Sequence, residues 1–115
     1  MLNDSPALDR AFHALADPVR RGMLARLATG PASVSDLAAP TGISLPAVMQ
    51  HLKALERSGL VRSEKKGRVR TCRIDAQALG IAEGWIAERR AEWNARLDRF
   101  EDYLSTLKDK ENIDG

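Results

Sequence analysis

The chain holds 115 residues, 43% hydrophobic and 30% charged, which suits one globular domain and is short for two. No run approaches the roughly 18 apolar residues of a membrane span, and the start, Met1 to Pro6, lacks the basic segment and apolar stretch of a signal peptide. One cysteine, Cys72, excludes an intramolecular disulfide framework and fits a reducing cytoplasm.

The net charge of +2 is unevenly spread. Residues 1–43 carry four arginines against four aspartates. Residues 44–75 carry eight basic side chains against three acidic ones, and residues 76–115 carry six against nine. A basic middle between neutral and acidic ends points to a polyanion met by one face.

Helix starts punctuate the chain. Asp4 or Ser5, with Pro6 just inside, opens a first helix bearing Leu8, Phe12 and Leu15. Asp17-Pro18 opens a second, with Val19, Met23, Leu24 and Leu27 on one face, and Gly30-Pro31 ends it. Ser33 caps a short third helix through Leu37 and Ala38, stopped by Pro40-Thr41-Gly42. Ser44 caps a fourth bearing Val48, Leu52 and Leu55, which Ser58-Gly59-Leu60 closes with a left-handed glycine. Val61–Lys65 and Val69–Ile74 read as two strands joined through Lys66-Gly67.

From about Ala76 to Leu107 the pattern is helical and long, with Ile81, Trp85, Trp93, Leu97, Phe100, Leu104 and Leu107 along one side. From Ile81 to Leu107 it spans about 40 Å. A body of some 75 residues, with a radius of gyration of about 11–12 Å, cannot cover all of it. The stripe is therefore expected to meet a second copy, with Trp85, Trp93, Leu97, Phe100 and Leu104 at the seam of a homodimer. The expected architecture is mainly α with a small β-hairpin, in the order ααααββα. One domain covers 1–107: a helix-turn-helix at about 33–58, a wing at about 61–74, and a terminal helix at about 76–107. Residues 108–115 are read as a flexible tail.

Residues 33–58 form two helices around Gly42, with Ile43 placed to pack in the angle between them. The second helix offers Ser44, Leu45, Ala47 and Gln50, with His51 and Lys53 beyond, at the positions that enter a major groove in this motif. The Gln50 amide suits adenine N6 and N7, while Ser44 suits a base or a phosphate. Around the hairpin tip, Lys65, Lys66, Arg68 and Arg70 suit phosphates, giving affinity more than sequence discrimination. One such cation is ordinarily a solvated surface residue. Four of them directly after a helix-turn-helix favour double-stranded operator DNA.

Ala16-Asp17-Pro18-Val19-Arg20-Arg21, the run Ser44–Leu55 and Ser58-Gly59-Leu60-Val61 together resemble the ArsR/SmtB family of winged-helix repressors, over about residues 5–105. The resemblance implies a homodimer built from the first and last helices, which adds Leu8 and Phe12 to the seam. It also implies a repressor of its own or a neighbouring operon, released by a bound signal, most familiarly a metal ion. Arsenic-sensing members carry Cys-Val-Cys-Asp-Leu on the third helix, where this chain has Ser33-Val34-Ser35-Asp36-Leu37. Serine lacks the thiolate softness those metals demand. Zinc-sensing members place Asp and His ligands on the last helix, and no histidine follows His51 here. No metal is expected at either familiar site, and no cofactor.

His13 reads as a packed or partly exposed helix residue, and Cys72, alternating with Ile74, as a small core residue. No nucleophile with a base, paired carboxylates or phosphate-binding glycine loop suggests an enzyme. Two alternatives stay open: a regulator sensing a metal, a thiol oxidant or a small molecule at an unfamiliar site, and a winged-helix module for protein–protein contacts. The second leaves the basic wing unexplained.

Overall fold

The structure, a computed structural model, describes residues 5–114, with side chains described from 5 to 111. Backbone contacts divide the chain into two units, residues 1–82 and 83–115. In the first, helix α1 (Pro6–Leu15) opens on Ser5, whose hydroxyl accepts the Leu8 N–H at 3.2 Å. The alternative cap, Asp4, lies outside the described residues. Helix α2 (Pro18–Leu27) opens on Asp17, whose carboxylate accepts the Arg20 N–H at 3.0 Å.

The turn between α1 and α2 is held by arginine. Arg20 donates from Nε to the Ala14 carbonyl at 2.8 Å and from Nη2 to the His13 carbonyl at 3.0 Å. Arg21 donates from Nη1 to the Leu15 carbonyl at 2.8 Å. Two guanidinium groups thus bond three carbonyls at the end of α1, of which His13 also accepts the Ala16 N–H at 3.3 Å, and their charge suits the negative end of the helix dipole.

Strand β1 (Ala32–Ser33) leads into helix α3 (Val34–Ala38), capped by Ser33, and then a 3-10 turn, Ala39–Thr41. Gly42 takes the left-handed conformation with φ 69°, and Ser44 caps helix α4 (Leu45–Arg57) by accepting the Ala47 N–H at 3.3 Å. Ile43 does not fill the angle between these helices; it is 36% exposed. Thr41 ties the corner instead, donating to the Ala38 carbonyl at 2.6 Å and accepting the Ile43 N–H at 3.3 Å. With Gly42 left-handed, the residue after it is carried past the corner, and Leu37 and Val48 close the interior.

Helix α4 ends in a Schellman turn. The Leu60 N–H reaches the Leu55 carbonyl at 3.1 Å and the Gly59 N–H reaches Glu56 at 3.0 Å, with Gly59 at φ 80°. Strands β2 (Val61–Lys66) and β3 (Val69–Ile74) follow as an antiparallel hairpin around Gly67-Arg68. Gly67 is left-handed at φ 63° and Arg68 is not, the combination a type II′ turn requires. The short β1 pairs with β3 through Ala32–Cys72 and Ser33–Thr71, so the sheet runs β1-β3-β2. This third strand is not apparent from the sequence.

Val48, Leu52 and Leu55, three to four residues apart on α4, are each at most 1% exposed, as are Leu60 and Cys72. Ala14 of α1, Met23, Leu24 and Leu27 of α2, Ala32 of β1, Leu37 of α3 and Val61 of β2 complete this core. Gly22, in the middle of α2, has an ordinary helical φ, and a Cβ added there would meet nothing within 4 Å.

Helix α5 (Ala76–Asp114) has 39 residues and is about 58 Å long. It passes the expected end at Leu107 and continues through the segment read as a flexible tail. Lys108-Asp109-Lys110-Glu111 contains no glycine or proline, and lysine and glutamate are good helix formers. Among the described residues, no helix is long and apolar enough to cross a membrane.

The α1–α2 corner gives two expectations for urea unfolding. Arg20→Ala should lower the unfolding free energy by about 2 kcal/mol, and Arg20→Lys should recover little of it, because one ammonium cannot reach two carbonyls in a fork. An Arg20→Lys variant as stable as wild type would refute this account. Gly22→Ala should raise stability by about 0.5–1 kcal/mol, since neither φ nor neighbours demand glycine there.

Candidate nucleic-acid interface

Burying one side of α4 displays the opposite side. Pro46, Gln50, Lys53 and Arg57, spaced by fours and threes, are all exposed on that face. Leu45 is 54% exposed at the helix start. Ser44 is exposed too, with its hydroxyl engaged as the cap, while Ala47 is half-buried. Arg57 belongs to the same face as Gln50 and Lys53. Sequence reading stopped at Lys53, although the helical period already pointed one turn further.

His51 does not share that face. It is half-buried, with Nδ1 3.7 Å from Asp17 Oδ2 and 3.4 Å from Arg20 Nη1, so it faces α2. One residue step along a helix turns the side chain by about 100°, and a partner on α2 was invisible in the sequence. The cap bond from the Arg20 N–H holds the Asp17 carboxyl below its usual value, with His51 and Arg20 adding charge in the same direction. A depressed carboxyl contributes stability above its ordinary titration range. That contribution is lost as pH falls through the lowered value.

The hairpin brings Lys65, Lys66 and Arg68 to its tip, all exposed. Arg70 differs from them. Its Nη1 donates to Ser63 Oγ at 2.9 Å, and that hydroxyl donates to Glu56 of α4. Arg70 is therefore half-buried and anchors the wing to α4. Between α3, the start of α4 and the wing lies a cleft of about 460 Å³, whose lining includes Leu45, Met49 and Val69 together with Lys65, Arg68 and Arg70. Met49 was not singled out in the sequence, because its importance depends on where the wing folds.

Ser33 and Ser35, at the positions of the arsenic-sensing cysteines, do not gather into a ligand set: Ser33 accepts the Asp36 N–H at 3.1 Å, and Ser35 is exposed. No three of His, Cys, Asp and Glu cluster as a metal site among the described residues. Cys72 is fully buried, and burial pushes its thiol up, so the nucleophilic thiolate is disfavoured at neutral pH.

Of the seam residues, Leu8 is only 8% exposed within its own chain. It packs on the inner face of α1 with Ala11 and Ala14 and has little surface left to offer. Phe12 and Trp85 are half-buried. On the second unit, Trp93 is 58% exposed, Leu97 41%, Phe100 57% and Leu104 47%.

A helix-turn-helix domain family matches residues 15–64. The chain is 45% identical over 71 residues to the HTH-type transcriptional regulator Rv2034 of Mycobacterium tuberculosis, a match covering 62% of this chain and 66% of that protein, just under two thirds. The crystal structure of the ArsR family transcriptional regulator RHA00566 is 46% identical, with a TM-score of 0.76 over 82% of this chain and 97% of that one. A homodimeric winged helix-turn-helix DNA-binding domain from Mycobacterium bovis, solved in solution, is 26% identical, with a TM-score of 0.60 over 80% of this chain and 94% of that one. With the fold, the exposed recognition-helix face and the basic wing in place, the chain belongs to the ArsR family of winged helix-turn-helix proteins and is a DNA-binding transcriptional regulator.

Proposed function

We propose that the protein acts in the cytoplasm as a dimeric repressor, laying the exposed face of α4 in the major groove of an operator and its wing along the flanking phosphates. The observation that carries this reading is the separation of side chains on one continuous surface. Gln50 and Leu45 stand out from the start of α4, while Lys65, Lys66 and Arg68 stand at the wing tip. Gln50 supplies the amide for an adenine edge, and Leu45 an apolar surface for a thymine methyl. Lys53 and Arg57 extend the same face towards the backbone. His51 and Arg70 are assigned to holding α4 against α2 and against the wing.

The dimer rests on the exposed α5 stripe, in which Trp93, Leu97, Phe100, Leu104 and Leu107 follow one another at intervals of four and three residues. That spacing is a heptad seam, too apolar to leave in water. The homodimeric relative supports the same assembly. Leu8 is left out of the proposed seam.

Anisotropy titrations in a salt series, on operator and scrambled duplexes, test the DNA contacts. Gln50→Ala should cost about 1–3 kcal/mol on the operator and relax preference at one base position per half-site. Arg68→Ala should weaken both duplexes alike and flatten the slope of log affinity against log salt by about one unit. A wing variant with an unchanged slope would show that the wing does not hold phosphate. For the dimer, light scattering should give a mass near twice 12.6 kDa at micromolar concentration. Leu97→Glu should shift it towards the monomer by placing a charge in the seam. A wild-type chain that stays monomeric would remove the proposed assembly.

A further inference from the structure

A second cleft, of about 320 Å³, lies away from the DNA-facing surface, between α2 and the segment formed by α3 and the 3-10 turn. Its walls are Pro18, Val19, Met23, Leu37 and Pro40, with Gly22, Arg26 and Thr41 completing the lining. The volume falls at the lower end of small-molecule sites, which are largely apolar with a few polar groups that fix orientation. At about 30 Å³ of liquid volume per water, it has room for a ligand of about ten non-hydrogen atoms.

Two observations indicate an occupant and its chemistry. Gly22 is a mid-helix glycine with no structural reason to be glycine: its φ is helical and no atom would obstruct a side chain. It costs helix stability, and what its missing side chain provides is open space in this cleft. Arg26 is the only charged residue of the lining. Its Nη1 donates to Thr29 Oγ1 at 3.1 Å and to the Gly30 carbonyl at 3.2 Å, while Nε and Nη2 have no partner among the described residues. A fork of two free N–H directions on a guanidinium matches a carboxylate.

We propose that this cleft is an effector site for a small hydrophobic carboxylic acid, bound as its carboxylate, and that its occupancy weakens operator binding. The apolar body sits among Val19, Met23, Leu37 and Pro40, and the carboxylate pairs with Arg26. The route to DNA is short. Thr41 lines the cleft and also fixes the turn before α4, through its bonds to the Ala38 carbonyl and the Ile43 N–H. A ligand that moves Thr41 re-aims the helix that carries Gln50. The regulatory half of the proposal rests on the DNA-binding reading above; the binding half does not.

The test uses the full chain and phenylacetate, with phenylacetamide and 2-phenylethylamine as neutral and cationic counterparts. In nitrogen–proton correlation spectra without DNA, phenylacetate should shift Gly22, Leu37 and Thr41, and the amine should not. Gly22→Leu, which fills the cleft and favours the helix, should abolish the shifts. Arg26→Gln should weaken phenylacetate by about tenfold while leaving the amide unchanged, which separates charge recognition from any loss of fold. On a duplex selected by the unliganded wild type, saturating phenylacetate should lower affinity by at least about fivefold, and the Gly22→Leu protein should keep its affinity. No shifts up to about 10 mM, or shifts that survive Gly22→Leu, would overturn the site. Binding that leaves DNA affinity unchanged would overturn its regulatory role. If the unliganded protein selects no duplex at all, the DNA-binding reading fails instead, and the spectra still decide the cleft.

Discussion

Three helices converge on one guanidinium, that of Arg20. Arg20 is placed by its own backbone N–H, which Asp17 holds as the cap of α2. Its side chain then gathers the end of α1 through two carbonyls and approaches His51 of α4 at 3.4 Å. Three helices thus meet at one planar, permanently charged group with donors in fixed directions. The motif Asp17-Pro18-Val19-Arg20-Arg21 is therefore local architecture first: one residue starts a helix, one pre-sets its first φ, and two close the helix before it. Recognition follows, because the angle of α4 to the rest of the unit determines where Gln50 and Lys53 point.

The basic hairpin carries a structural cost of its own. Lys65 stands directly across from Arg70 in the hairpin, and Arg62 across from Arg73. Like charges opposed in this way destabilise a strand pair. Partial relief is built in at both places. Arg62 pairs with Asp75 at 2.7 Å, and Arg70 is drawn down to Ser63 and Glu56. Lys65, Lys66 and Arg68 have no such relief and remain exposed. A hairpin selected for stability alone would not concentrate cations this way, so the tip is understandable as a surface waiting for a polyanion.

What was legible in the sequence was local. Ser33 and Ser44 as caps, the stop at Pro40-Thr41-Gly42, Gly59 as a left-handed stop, and the hairpin around Gly67 all follow from a few neighbouring residues, and the structure has each of them. The fold class followed, since these signals fix the order of elements. The departures involve partners distant in the chain. Ile43 was expected inside, but the corner is tied by Thr41. His51 was expected on the outer face, but Asp17 lies 34 positions earlier and only folding brings it near. Arg70 lost its freedom to Ser63 of β2, which is itself bonded to Glu56 of α4, and β1 is a strand only because β3 pairs with it. Periodicity gave the exposed face of α4 well; it could not say which cations on the wing were already engaged.

The same wing has an edge. The sheet ends on β2 at one side, and at the other β1 covers only Thr71 and Cys72 of β3. Towards the tip, both margins of the hairpin therefore offer unpaired backbone groups, with Val69 54% exposed between them. Such margins invite a strand from another molecule. Two copies of this hairpin approaching edge to edge would bring Lys65, Lys66 and Arg68 of each against those of the other. The repulsion keeps free copies from adding strands to one another. On the reading proposed above, a phosphate backbone that neutralises the tips would lower that barrier, so neighbouring molecules on one stretch of DNA would meet under different colloidal rules from those in solution.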